Sequence, residues 1–322
     1  MISTANFSSL KCINSRKQAL HTETYLPAGR APIATLVWHH GYGEHIGRYK
    51  QVFERIANSG IAICTYDAHG HGKSEPREPT SERAVVWNFN DLIDDVYDVV
   101  GQYRQLQPAT ASLPTFIGGH SMGGLVAAHA VLRQPGQWAG LVLHSAALDV
   151  EWTPVLRAQA PVSGLLSRVI PRARIVPAVR PEDMSQDAGV VADYLADPLN
   201  TVGNVPLRTG AQLLGGFRAL AARYAHFRLP LYAAHGTQDR CTSLPAVRRF
   251  VEAAPARDKT LVEVAGGYHE LLMGPERDAC ITHLLEWVVP NMLGGAAATG
   301  SPTKTSAGGA PVAPAQVQLA AK

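Results

Sequence analysis

A glycine-flanked serine between two apolar runs constrains this chain more than any other feature. Residues 115–127 read TFIGGHSMGGLVA, so a short strand-like run precedes the serine and small apolar residues follow it. Gly119, Ser121 and Gly123 form the G-x-S-x-G pattern, in which a serine sits at the apex of a sharp strand-to-helix turn. The bare pattern is weak, and a tight turn with an incidental serine is the plain alternative. The flanking runs favour a nucleophilic serine.

Short apolar runs recur along the chain, and each is followed by a polar or glycine-rich turn. We predict strands at 33–38, 61–66, 115–118, 141–144, 231–234 and 261–264, with two antiparallel strands before them within 9–26. Helical patterns occupy most of the intervals, for example 49–58, 90–106 and 277–289, the last ending at Pro290. Continuous apolar runs suit a parallel sheet with helices on both faces. The predicted class is therefore α/β, with a mostly parallel central sheet.

The strand-helix rhythm breaks in one proline-rich stretch. We predict an α/β-hydrolase core at 1–149 and 207–290, an inserted helical cap at 150–206 and a flexible low-complexity tail at 291–322. Apolar cap residues such as Trp152, Leu156 and Leu165 suit an acyl groove or contact with a bilayer surface, and ordinary packing on the core is the alternative.

Composition excludes several classes of function. A net charge of +3 without a basic block argues against nucleic-acid binding. The four cysteines lack C-x-x-C spacing, which argues against zinc and favours a reducing compartment. The acidic face of helix 90–106, formed by Asp91, Asp94, Asp95 and Asp98, is expected to face solvent rather than bind a metal. With no apolar run of membrane-spanning length, we expect a cytoplasmic protein; an acid-poor N-terminus leaves an organelle transit peptide as the alternative.

A serine nucleophile needs a histidine to accept its proton and a carboxylate to orient that histidine. In hydrolase sheets of this kind, the order along the chain is serine, acid, histidine. Asp239 follows the strand at 231–234, and His269 follows the last predicted strand, so both are expected to face Ser121. Among the rivals, Asp67 is expected to organise its own glycine-rich loop, and Glu270 to point away from the face of His269.

The negative charge of a tetrahedral intermediate needs two backbone N–H donors. One is expected from Met122, directly after the nucleophile, and the other from the loop after the first parallel strand, where Tyr42 is the candidate. A plain turn is the alternative for that loop.

The chain resembles the monoacylglycerol lipase and lysophospholipase family of α/β hydrolases, in its serine aminopeptidase-like branch. The segments that carry the resemblance are HHGYGEHIGRY at 39–49, DAHGHGKS at 67–74, GGHSMGG at 118–124, HGTQDR at 235–240 and GGYHELL at 266–272. It covers roughly 20–287, including SQDAGVVADYLADPL at 185–199. Tyr42 is bulkier than the small residue usual in the animal lipases, which leaves the chain-length preference open, and the tail after Asn291 has no counterpart in the family.

The resemblance implies an α/β-hydrolase fold with Ser121 as nucleophile, Asp239 as acid, His269 as base, and Tyr42 and Met122 as oxyanion donors. It implies hydrolysis of a monoacylglycerol or lysophospholipid without a metal or organic cofactor. The apolar cap residues add the expectation of peripheral contact with a membrane through the cap. An esterase or acyltransferase acting on other small acyl esters is the alternative, and a non-enzymatic binding module is the more distant one. The oligomeric state is left open.

Overall fold

The computed structural model describes residues 5–177, 179–295 and 315–320. Its main feature is a nine-stranded sheet with the order β1-β2-β4-β3-β5-β6-β9-β10-β11. These strands are β1 Asn6–Ile13, β2 Ala19–Leu26, β3 Ala34–His39, β4 Ile61–Tyr66, β5 Thr115–His120, β6 Gly140–His144, β9 Leu231–Gly236, β10 Lys259–Ala265 and β11 Ala315–Ala320. Only β2 runs against the others, because β1 and β4 both pair with it in antiparallel register. The mostly parallel sheet predicted from the sequence is confirmed.

Helices cover both faces of the sheet. They are α1 Lys50–Asn58, α2 Phe89–Leu106, α3 Met122–Arg133, α4 Pro154–Val169, α5 Ala188–Ala196, α6 Leu207–Ala221, α7 Leu244–Ala253 and α8 Arg277–Gly295. Neighbouring residues of one strand point to opposite faces, so each face has its own core. Val37 of β3 packs with α2 and α3, whereas Leu36 beside it packs with α1 and α8. Both faces of the central strands are therefore buried, as their continuous apolar runs require, whereas the edge strand β1 is mostly exposed.

The chain leaves the sheet after β6 and returns to it at β9. Between them lie the predicted cap, residues 150–206, and α6, on which α4 of the cap packs. The cap also holds α5 and a small antiparallel pair, β7 Arg174–Val176 with β8 Val205–Pro206. Helix α4 begins at Pro154, because the side chain of Thr153 accepts a hydrogen bond from the N–H of Leu156 and caps it. Within the described residues, no helix is long and apolar enough to cross a bilayer.

The C-terminal part of the chain departs from the flexible tail predicted for 291–322. Helix α8 continues through Pro290 to Gly295, although a proline cannot donate the helical hydrogen bond. Two contacts accompany the extra turn: Met292 is buried against the core, and the amide of Asn291 donates to the carbonyl of Trp287. Strand β11 then pairs in parallel with β10, with Val317 opposite Val262. Residues 296–314, 321 and 322 lie outside the described part of the chain.

Asp95 of α2 is a second correction, because the sequence placed it on a solvent-exposed face. Its side chain is buried and accepts hydrogen bonds from Asn14 at 2.7 Å and from Arg16 at 2.5 Å. Burial raises the pKa of this carboxyl to about 6, although Arg16 and Asn14 act in the opposite direction. The β1–β2 turn, which carries Asn14 and Arg16, covers this part of α2.

Candidate active site

Ser121 lies at the sharp turn between β5 and α3. Its backbone has φ 51° and ψ −119°, a conformation that residues other than glycine rarely adopt. A Cβ atom at Gly123 would come within 2.0 Å of the carbonyl oxygen of His39, and one at Gly119 within 2.4 Å of the backbone of Gly123. Strand β3, the turn and α3 therefore meet too closely for side chains, which explains the two glycines around the serine.

Asp239 and His269 are joined at the carboxyl ends of β9 and β10. Nδ1 of His269 donates to Oδ2 of Asp239 at 2.8 Å. The other carboxylate oxygen, Oδ1, accepts from the backbone N–H groups of Cys241 and Thr242. Burial pushes the pKa of Asp239 up, but the charge of His269 and hydrogen bonds from His235 and His269 hold it well below its usual range. The acid is thus kept ionised while it orients the His269 ring.

The loop after β3 carries Tyr42, one of the two predicted oxyanion donors. The N–H of Gly41 donates to Oε1 of Glu44 at 2.6 Å, which fixes the start of this loop. Gly43 has φ 74°, and its carbonyl accepts from the N–H of Thr201 in the cap at 2.7 Å. Met122, the other predicted donor, is the first residue of α3, where the helix dipole favours negative charge.

A buried network of charges lies beneath this loop. Glu44 accepts from Nδ1 of His120 at 3.0 Å and from the hydroxyl of Tyr49 at 2.6 Å. Arg48 pairs with Glu44 and also with Glu270. Burial raises the pKa of Glu44, but Arg48 and His120 outweigh it and keep that pKa well below its usual range. In turn, Glu44 raises the pKa of His120 against its burial.

The same network reaches the loop that carries His269. His120 is the residue before the serine, and its Nε2 lies 3.3 Å from the carbonyl oxygen of His269. Glu270 follows His269 directly and receives the hydrogen bond from Arg48 at 3.0 Å. Glu44 is therefore bonded to the residue before Ser121. Arg48 is bonded to the residue after His269.

Two groups of side chains have the donor atoms for a metal ion among the described residues. One is Asp239, Cys241 and His269, and the other is Glu44, His120 and Glu270. In the first, the donor atoms of Asp239 and His269 already bond each other. In the second, Arg48 supplies the positive charge between the two carboxylates. Neither group requires a metal to account for its arrangement.

A single apolar cavity brings most of the predicted site residues together. It has a volume of about 210 Å³ and is lined by Ser121, His269, Tyr42 and Met122, while Asp239 lies behind His269. Its remaining walls come from the cap and α6 and are mostly apolar; they include Trp152, Leu156, Val176, Leu207, Leu214 and Phe217. Glu270, which the sequence placed away from the face of His269, also lines this cavity.

The second half of the cap is bonded to the core around the cavity. Nε2 of His45 lies 2.8 Å from Oδ2 of Asp197, and the carbonyl of Met184 accepts from the N–H of Glu270 at 2.8 Å. Helix α4, in the first half, instead exposes several large apolar side chains: Val155, Val162, Leu165, Leu166 and Val169. The second half of the cap is thus hydrogen-bonded to the core beside the cavity, whereas helix α4 in the first half has exposed apolar side chains.

This fold, with a serine at a strained strand-to-helix turn and an aspartate-histidine pair at the ends of later strands, defines an α/β hydrolase. The chain belongs to the family described as serine aminopeptidase, S33, which matches residues 30–276. Within it, the chain falls among the monoacylglycerol lipase-like enzymes and is a carboxylic ester hydrolase.

Several curated relatives are named as lipases. The monoacylglycerol lipase of Mycolicibacterium smegmatis is 31% identical over 263 residues, which cover 81% of this chain and 90% of the relative. The human monoglyceride lipase is 29% identical over 259 residues, covering 80% of this chain and 82% of the relative.

Solved structures share the fold at lower identity. A monoglyceride lipase variant from Saccharomyces cerevisiae, in complex with a substrate analogue, matches with a TM-score of 0.76 and 17% identity, covering 90% of this chain and 95% of the other. The monoacylglycerol lipase of Paleococcus ferrophilus matches with a TM-score of 0.74 and 24% identity, covering 84% of this chain and 99% of the other.

The sequence missed the residues that surround these candidates. Glu44 and Arg48 are four residues apart, a spacing that brings two side chains together on a helical turn and could have indicated an ion pair. No pattern in the sequence indicates that Arg48 pairs with Glu270, because the two residues lie in distant segments of the chain. For Asp67 the geometry agrees with a loop-organising position, since its carboxylate accepts from the N–H groups of Ile46 and Lys73.

Proposed function

We propose that this ester hydrolase cleaves the acyl ester of a monoacylglycerol or lysophospholipid, with Ser121 as nucleophile, His269 as base and Asp239 as acid. The observation that carries the proposal is the bond between His269 and Asp239 at the wall of an apolar cavity that Ser121 also lines.

In the proposed reaction, Oγ of Ser121 attacks the ester carbonyl while Nε2 of His269 takes its proton. The negative charge formed on the carbonyl oxygen is stabilised by the N–H groups of Tyr42 and Met122. The ester C–O bond then breaks, His269 returns the proton to the leaving alcohol, and an acyl group remains on Ser121. Water attacks this acyl-enzyme with the same base, which releases the fatty acid. Asp239 keeps the imidazole in the required tautomer throughout.

The lining of the cavity supports a substrate with an acyl chain. Its walls are mostly apolar, as a site that takes up a hydrocarbon chain requires. The monoacylglycerol lipases among the relatives support the glyceride, and a Bacillus subtilis phospholipase, 28% identical over 249 residues, supports the lysophospholipid.

The exposed apolar side chains of α4 support contact with a membrane surface, where such substrates reside. Val155, Leu165 and Val169 stand on one helix of the cap and are half or more exposed. Apolar residues on a surface helix can insert at the boundary between headgroups and acyl chains. The buried free cysteines are compatible with a reducing cytoplasm as the location of this peripheral activity.

Release of glycerol from 2-oleoylglycerol, measured beside hydrolysis of a short p-nitrophenyl ester, tests the proposal. The wild type is expected to act on both and more strongly on the glyceride. Ser121→Ala and Asp239→Asn are expected to lower both rates by about 10⁴-fold. Wild-type turnover by either variant would refute the assigned role.

Two further arms separate the substrates and the reaction type. Oleoyl-lysophosphatidylcholine beside 2-oleoylglycerol distinguishes the head groups. An added acyl acceptor, such as a short alcohol, distinguishes hydrolysis from transfer, since an acyltransferase forms the new ester at the expense of free fatty acid. Activity on the short ester alone would be consistent with the proposed serine mechanism and would contradict the proposed lipid substrate.

A further inference from the structure

A second histidine contacts the carboxylate of Asp239. His235 lies in β9, fully buried, and its Nε2 is 3.2 Å from Oδ2 of Asp239. The other ring nitrogen, Nδ1, is buried without a hydrogen-bond partner among the described residues. Nε2 also lies 3.5 Å from the hydroxyl oxygen of Thr242. Since a neutral imidazole has one N–H, the geometry favours the tautomer with the proton on Nε2, the nitrogen that faces Asp239 and Thr242.

The carboxylate of Asp239 is saturated with donors. Oδ2 accepts from Nδ1 of His269 at 2.8 Å and from the hydroxyl of Thr242 at 2.8 Å, and Nε2 of His235 lies 3.2 Å from it. Oδ1 accepts from two backbone N–H groups. The side chain is completely buried, so these donors replace the water that an exposed carboxylate would bind.

Resting on the function proposed above, we infer that His235 is a positioning residue that tunes the acid by sharing Oδ2 of Asp239 with His269. Its Nε2–H lies beside the oxygen that His269 also contacts, and it draws off part of the negative charge that His269 would otherwise face. His235 does not line the cavity, and its Nε2 faces Asp239 and Thr242, so it acts on the reaction through these two residues.

The direction of its effect follows from the charge on Oδ2. With His235 present, the carboxylate is a weaker partner for the imidazolium that forms on His269 during the reaction. Without this donor, more of the charge is directed to Nδ1 of His269, and His269 holds its proton more tightly. The acid limb of the profile of kcat/KM against pH then moves to higher pH.

Other charged groups face the Asp239–His269 pair and must stay unchanged for this test. The His120 ring is 4.6 Å from the His269 ring, with Glu44, Glu270 and Arg48 bonded behind it. From the remaining elements come Cys241 beside the acid, Asp183 of the cap, whose carbonyl accepts from Sγ of Cys241, and the Glu263–Arg248 pair on β10 and α7. A substitution at position 235 leaves these side chains in place and removes from Glu263 only the neighbouring imidazole, while Arg248 stays paired with it.

The experiment compares pH profiles of kcat/KM on a p-nitrophenyl ester for wild type, His235→Phe and His235→Gln. Phenylalanine keeps the ring volume and removes the donor, whereas glutamine supplies an amide donor on a side chain of similar reach. For His235→Phe we expect about a tenfold lower kcat and an acid limb shifted upward by about half a pH unit. For His235→Gln we expect the wild-type limb and most of the rate.

His129→Phe is the matched control, because it removes another buried histidine, one bonded to the carbonyl of Gly216 and away from Asp239. It is expected to leave the acid limb in place. A lower rate for His235→Phe with an unshifted limb, or failure of glutamine to restore it, would overturn the inference and leave His235 with a merely structural role.

A fluorophosphonate probe that labels serine nucleophiles separates this inference from the proposed mechanism. If Ser121→Ala keeps its labelling and its activity, the mechanism itself fails. If Ser121→Ala is inactive while the limb of His235→Phe stays at the wild-type pH, only the inference about His235 fails. Should His235→Phe fail to fold, an unshifted limb for His235→Leu would likewise refute it.

Discussion

Arg48 donates a hydrogen bond to Glu270 at 3.0 Å, although 222 positions separate the two residues. The same guanidinium pairs with Glu44 and lies 5.1 Å above the ring of Tyr194 in the cap. A single cation thus joins the loop after β3, the loop after β10 and helix α5. Arg48 bonds directly to the residue after His269 and, through Glu44, to the residue before Ser121. Among the hydrogen bonds of the described residues, none joins Arg48 to Ser121 or His269.

Loss of Arg48 is therefore expected to destabilise the protein strongly. Arg48→Met leaves the buried carboxylate of Glu270 without its paired cation and Glu44 with His120 alone, which should lower the free energy of unfolding by about 3–5 kcal/mol. Urea denaturation at pH 7 measures this loss. Glu270→Gln is the matched comparison and should cost less, because Glu44 still pairs with Arg48. Equal losses for the two variants would contradict a central position for Arg48.

The turn at Ser121 stores backbone strain. With φ at 51°, the serine is in a conformation that costs a residue with a Cβ on the order of 1–3 kcal/mol. Ser121→Gly relieves this strain but adds freedom to the unfolded chain, so a net gain of about 1 kcal/mol in stability is expected. Ser121→Ala keeps the Cβ and should match the wild type. Thermal and urea unfolding of the three proteins checks the order; a glycine variant less stable than the alanine variant would show that the turn is unstrained.

The sequence predicted the six central parallel strands well because each is mostly apolar on both faces and is followed by a polar or glycine-rich turn. Strand β4 coincides with the predicted run, and β5 differs only by extending to His120. Ser121, Asp239 and His269 could be chosen for the same reason: residues after parallel strands gather at one edge of a sheet.

Long-range polar contacts could not be predicted in this way. The sequence pattern places Asp95 on the same helix face as three other aspartates that were expected to face solvent. Only the fold of the β1–β2 turn brings Asn14 and Arg16 into contact with Asp95. Strand β11 lies within a stretch of alanine, glycine and proline, where six residues give too short a periodic signal to stand out. The contact of His235 with Asp239 likewise depends on how the turn after β9 folds back.

Buried histidines should make the fold sensitive to acid, and His144 gives the sharpest case. Its ring lies between Trp38 and Tyr232, with neither nitrogen bonded among the described residues. Burial lowers its pKa from 6.5 to about 3. Below pH 6.5 the unfolded chain gains a proton here that the native state does not take up, so the native state loses stability as the pH falls through this window.

Replacing His144 by phenylalanine keeps an aromatic ring in the same apolar site and removes the proton. At pH 8 both rings are neutral, whereas at pH 5 the wild type carries a penalty of about 2 kcal/mol at this position. The stability of His144→Phe relative to wild type should therefore improve by about that amount between pH 8 and pH 5. Urea unfolding at the two pH values measures the change. His226→Phe, at an exposed histidine, should show no such improvement. A relative stability of His144→Phe that does not change with pH would mean that the native state accommodates a charged imidazole at His144.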